Sequence, residues 1–184
     1  MRALLILLFG VFLHLSASPA AATQDDVRLD GLFARLHTTS DPAAADEVAA
    51  QIWKIWPRHG TEEVDVVLAH GIVAMNTGNL QRALQAFDVV VNLAPDFAEG
   101  WNKRATVFFY LRNYEASIGD IKRTLALEPR HFGALSGLGL VTTALGDDKA
   151  ALKAFESALE VNPHMPHARQ RVKELRTKIK GKRI

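Results

Sequence analysis

Hydrophobic residues are arranged along this chain in three ways. Residues 3–15 are apolar almost without interruption, broken only by Gly10 and His14, and small residues then lead into the polar run Thr23-Gln24-Asp25-Asp26. From residue 27 onward the apolar positions recur every three or four residues, the period of a helix with one buried face. Leu29, Leu32, Phe33 and Leu36 predict a helix over residues 27–36. Ser40-Asp41-Pro42 reads as a cap followed by proline in the first turn of a second helix. That helix runs to about Trp56, with Val48, Ile52, Ile55 and Trp56 inward and Trp53 beside them, until Pro57 and Gly60 stop it. At the far end Ala168, Val172, Leu175 and Ile179 predict an amphipathic helix over residues 167–180 whose other side is basic.

Between these flanks the pattern itself repeats. Pro95, Pro129 and Pro163 lie 34 residues apart, twice over. Aligned on them, Ala83, Ser117 and Ala151 coincide, as do Phe87, Ile121 and Phe155, and Val91, Leu125 and Leu159. Leu93, Leu127 and Val161 agree two residues before each proline. Further back, Gly71, Ala105 and Gly139 form a small-residue site where two helices would cross closely. Gly78 and Gly146 fall in the turn between the two helices, with Arg112 in that place in the middle segment. Each proline ends or begins a helical hairpin, because it has no N–H to continue a helix and restricts the residue before it.

This pattern resembles the tetratricopeptide repeat, a 34-residue helix–turn–helix unit. Trp101, Gly71, Gly139, Ala83, Ala151, Phe87, Phe155 and the three prolines carry the resemblance. The middle unit departs from it at Ser117 and Ile121, although Tyr114 and Pro129 fit. The resemblance implies an all-α fold, a right-handed superhelical array of antiparallel helix pairs with units at 64–97, 98–131 and 132–165. Residues 23–63 are then expected as a degenerate helical pair at the N-terminal end of the stack, although their spacing is not 34, and 166–184 as a capping helix with a basic tail.

The resemblance also implies that a peptide or protein partner binds in a concave groove lined by the first helix of each pair. On the helical phase of this chain the groove candidates are Asp65, Leu68, Ile72, Met75 and Asn76 in the first unit. The second offers Glu99, Asn102, Lys103, Thr106, Phe109 and Tyr110, and the third Gly133, Ser136, Leu140 and Thr143. Phe109-Tyr110 stands out, because an aromatic surface beside a polar residue suits the anchoring of a partner's side chain; packing is the other reading of these rings. The best-described binding mode of the family holds a C-terminal carboxylate with Lys and Asn in successive units. Leu68 and Ile72 are apolar where that clamp would begin, which argues against it and leaves Asn102 and Lys103 as isolated polar candidates.

Enzymatic readings find no support in the residues. His14 belongs to the apolar leader and the other histidines are dispersed, with His164 and His167 the one close pair, flanking Pro166 at a repeat junction. No metal or other cofactor is expected. Gly133, Gly137 and Gly139 sit inside a predicted helix and not in a phosphate loop after a strand. Ser136-Gly137 lacks the elbow pattern of a hydrolase nucleophile. Glu62-Glu63 and Asp147-Asp148 fall near helix starts, where carboxylates favour the dipole. Glu128-Pro129-Arg130-His131 is richer than a plain linker needs, and Arg130 is expected to bond neighbouring carbonyls or acids.

Charge and the leader set the compartment. Met1-Arg2, the short apolar run and the small residues up to Ala22 have the form of a secretory signal peptide cleaved between Ala22 and Thr23, with an uncleaved anchor as the alternative. The run is shorter than the ~20 residues that span a bilayer. A periplasmic protein with a role in cell-envelope integrity or assembly is the resulting expectation, and the absence of cysteine is compatible with it. The net charge of +2 conceals an acidic body and a basic end, because residues 169–184 hold eight Lys or Arg against Glu174 alone. A second expectation is therefore weak contact of this tail with anionic lipid or another polyanion. Nucleic acid is not an expected partner after export.

Overall fold

The computed structural model describes residues 23–181. The leader at 1–22, with its cleavage site, and the last residues of the basic tail lie outside the described residues. After a short turn at Thr23–Asp25, the described chain forms α1 (Arg28–Thr38), α2 (Pro42–Ile55), α3 (Glu62–Asn76), α4 (Leu80–Leu93), α5 (Ala98–Tyr110), α6 (Tyr114–Leu127), α7 (Phe132–Ala144), α8 (Asp148–Val161) and α9 (Pro166–Gly181). Three hairpins, α3–α4, α5–α6 and α7–α8, stack in order and α9 closes the stack against α8. The first helices also touch one another, α3 to α5 and α5 to α7, so they line the inner side of the curve.

Each hairpin turns by the same chemistry, at 34-residue intervals. Asn79, Asn113 and Asp147 cap α4, α6 and α8 by accepting the backbone N–H groups of Arg82, Ala116 and Ala150. Their own N–H groups reach back to the carbonyls of Ala74, Phe108 and Thr142, closing the preceding helix. Each such side-chain cap is worth about 1 kcal/mol. The residue before the cap is left-handed each time: Gly78 and Gly146 have φ of 79° and 80°, and Arg112 occupies the same region at 58°.

The small-residue site and the aromatic site prove to be two halves of one contact. A Cβ on Gly71 would lie 2.5 Å from the Phe87 ring, and one on Gly139 would lie 2.7 Å from the Phe155 ring. In the middle unit both halves change together: Ala105 fills the space left by Ile121, and Ser117, at the alanine site, donates its hydroxyl to the Ala105 carbonyl at 2.8 Å. Arg104 then ties the first two units by gripping Asp120 of α6 with two nitrogens at 2.7 and 2.8 Å and Asp88 of α4 with a third at 2.9 Å.

The N-terminal pair corrects an expectation. Instead of extending the end of the stack, α1–α2 lies across the proline-loop edge of the array. Its core residues Leu29, Phe33, Ile52 and Trp56 pack with Phe132 at the start of α7, and Val161 and Met165 of the α8–α9 junction close on them. Gln24 bonds the backbone of Asp96 and Ala98 at the α4–α5 loop. Arg130 does what its position suggested: it binds Glu128, extends to Asp30 of α1 at 2.6 Å, and lies 4.5 Å over the Phe33 ring. The hairpin is thus held at the loops of successive units, which a stacked extra repeat would not reach.

Candidate partner-binding groove

The placement of α1–α2 decides which part of the inner face is available. Trp53 projects from α2 onto the start of α7, where its ring occupies the space beside Gly133; a Cβ there would lie 2.6 Å from it. The same ring has the Lys103 ammonium 5.7 Å from its centroid. Trp56 stacks flat on His131 at 4.0 Å. Beneath these rings is a buried polar cluster. Glu99 takes the Lys103 ammonium at 2.9 Å on one oxygen, and on the other it accepts from Asn102 at 2.8 Å and from His131 Nε2 at 2.9 Å. His131 Nδ1 accepts the Ala134 N–H and so caps α7, which places the ring proton on Nε2. Burial pushes the Glu99 carboxyl up, but the Lys103 charge and the His131 hydrogen bond outweigh it and hold the pKa at about 2.

The groove candidates therefore divide. Leu68 is a core residue of the first unit, 1% exposed, and Ile72 is half-buried against the same core. Glu99 and Asn102 are buried, and Lys103 is committed to Glu99, so these three are structural members of the hairpin's seat. Asn76 is exposed at the end of α3, and Ser136 is half-buried on α7. Thr106, Phe109 and Tyr110 come together with Gly137 and Leu140 around an apolar cleft of about 90 Å³ between α5 and α7, floored by Ala105, Ile121 and Val141 and reaching Asn102 and Gly133 at the end beside Trp53. Tyr110 and Leu140 stand at its rim, 57% and 43% exposed. The two rings of the Phe109-Tyr110 pair lie 5.8 Å apart at 57°, and Phe109 also packs on the middle unit's core.

Two contributors were not legible as such. Trp53 reads only as a neighbour of the inward residues of its own hairpin, and that hairpin's mismatch with the 34-residue spacing is the one sign that it goes elsewhere. Gly137, set aside as an ordinary helical glycine, leaves the cleft open by having no side chain. The basic C-terminal helix is largely self-occupied: Arg176 pairs with Glu156, Lys178 with Asp148 and Arg171 with Glu174, while Arg169 binds the Pro163 carbonyl. His164 and His167 lie at the α8–α9 turn, and among the described residues no group of three metal-binding side chains converges.

An array of capped 34-residue hairpins with an inner cleft defines a helical-repeat protein. The tetratricopeptide repeat family model matches residues 102–166. A TPR repeat-containing protein of Rhizobium etli is 36% identical over 163 residues, covering 89% of this chain and 80% of that protein. The chain belongs to the tetratricopeptide repeat family. Among solved structures, MamA superposes with a TM-score of 0.61 at 23% identity over 86% of this chain and 84% of its own. The first TPR domain of Spaghetti (RPAP3), bound to the HSP90 peptide SRMEEVD, superposes with a TM-score of 0.61 at 21% identity, covering 63% of this chain and 92% of that domain.

Proposed function

We propose that this protein is a periplasmic adaptor that holds a peptide or protein segment in the open part of its inner groove, in the service of cell-envelope assembly or integrity. The observation that carries the binding reading is the cleft between α5 and α7, apolar within and rimmed by the exposed Tyr110 and Leu140. The Spaghetti domain, which superposes on this chain and is bound to the HSP90 peptide SRMEEVD, supports it. The chemistry differs here. Lys103 and Asn102 are occupied by Glu99 beneath Trp53, so a terminal carboxylate finds no free cation at that place. The segment is recognised by an apolar or aromatic side chain inserted over Thr106 and Gly137. A buried anchor of that kind commonly contributes about 2 kcal/mol or more.

Selection from a displayed random-peptide library tests the reading. Enriched peptides should share an apolar or aromatic residue, and Tyr110→Ala with Leu140→Ala should weaken them by about thirtyfold while circular dichroism stays unchanged. Enrichment of peptides ending in acidic residues, indifferent to the double change, would contradict it. Export rests on the leader, and protein recovered from the periplasmic fraction should begin at Thr23 on N-terminal sequencing; an intact Met1 would favour the anchor.

A further inference from the structure

The repeat register exposes a face that the rest of the molecule always covers. Val73, Val107 and Val141 occupy one position in successive units. Val107 and Val141 are 0% and 1% exposed, buried where their helices meet the preceding hairpin, whereas Val73 is 61% exposed. Val66, one unit before the buried Gly100, is likewise 46% exposed. Val89 belongs to the same edge: its counterpart one unit on, Arg123, reaches back to the Pro95 carbonyl of the preceding unit, and Val89 has no such unit to reach. Because α1–α2 went to the loop edge, none of the described helices covers the outer face of α3.

We infer that this face is a two-fold interface with a second copy of the chain. The charges on α3 and α4 favour that occupant. Glu62 and Glu63 open α3, no basic residue closes it, and Arg82 lies beside Thr77 at its far end, sharing a shallow groove with His70 and Val73. When two α3 helices pack antiparallel about an axis between Ala69 and His70, Val66 of each copy meets Val73 of the other. The same arrangement brings Glu62 to Thr77 and its neighbour Arg82, twice by symmetry. Head-to-tail stacking would leave Val66 and Val73 against a polar surface, because the far side of α9 presents Arg169, Lys173 and Lys180 and no exposed large hydrophobic residue among those described. The contact centres on one helix of 15 residues, so a weak dimer, roughly micromolar, is expected. It leaves the α5–α7 cleft open in both copies.

Analytical ultracentrifugation of the purified protein tests the inference. The unaltered protein should be dimeric at roughly 200 µM, well above a micromolar dissociation constant, and Val73→Asp, at an exposed position, should be monomeric with an unchanged circular dichroism spectrum. Glu62→Arg and Arg82→Glu should each weaken the dimer by about tenfold, and the two together should restore it. Because the chain has no cysteine, His70→Cys supplies a separate readout: mild oxidation should link two copies, whereas Lys122→Cys on α6 should not link them. A monomeric unaltered protein, a dimer indifferent to Val73→Asp, charge changes that do not compensate, or equal linking from both cysteines would overturn it.

Discussion

Replacing Trp56 with alanine should release the N-terminal hairpin and cost about 3–5 kcal/mol, the range for truncating a large buried aromatic residue. Trp56 is the joint of that hairpin: it stacks on His131 at 4.0 Å and packs on Phe132 at 5.0 Å and Phe33 at 6.1 Å. Its loss removes contacts with both the hairpin's own core and the third unit. Because α1–α2 is held mainly through this seam, the hairpin should open before the array does. Denaturant unfolding followed by Trp53 fluorescence, with Trp101 replaced by Phe, should then show an early transition that circular dichroism registers only in part. A single transition with an unshifted midpoint would mean that Trp56 does not join the hairpin to the array.

Glu99→Ala should be comparably damaging, at about 3–5 kcal/mol, because it strands Lys103 and His131 without their shared buried partner. The same carboxylate gives the protein an acid limb. Its folded pKa of about 2 lies below the ordinary 4.5, so the charged form is the one that folding favours. Its contribution is complete above about pH 5 and is lost as the pH falls through 4.5 toward 2, a total on the order of 3 kcal/mol at 1.36 kcal/mol per unit. Unfolding midpoints measured between about pH 6 and 2.5 should fall steeply for the unaltered protein and more shallowly for Glu99→Gln. Parallel slopes for the two proteins would place the acid sensitivity elsewhere.

What could be read in the chain before folding follows from how local each signal is. The three units were legible because each turn, cap and helix crossing recurs with the period of the chain: Pro95, Pro129 and Pro163 mark the junctions, and Gly71 with Phe87 marks a contact made inside one hairpin. The division of the groove was not legible. Helical phase places Glu99, Asn102 and Lys103 on one face of α5, but phase says nothing about what covers that face. The cover comes from Trp53, 46 residues before Glu99, through a packing arrangement with no periodic trace. Leu68 fails for a different reason: in the first unit the inner-facing position leans into the core with Val64 and Phe87. Thr106, Phe109 and Tyr110, beyond the reach of the hairpin, are the part of the reading that the geometry assembles into one cleft.

On the proposed function the open stretch of the groove, and not the convex side or the tail, meets the partner. The most direct measurement is site-specific photocrosslinking in growing cells from a photoreactive residue placed at position 110, with positions 122 on the exposed side of α6 and 173 on α9 as comparisons. A discrete adduct from position 110 that disappears in the Leu140→Ala background, with none from 122 or 173, is expected. An adduct from 173 or 122 with none from 110 would contradict it.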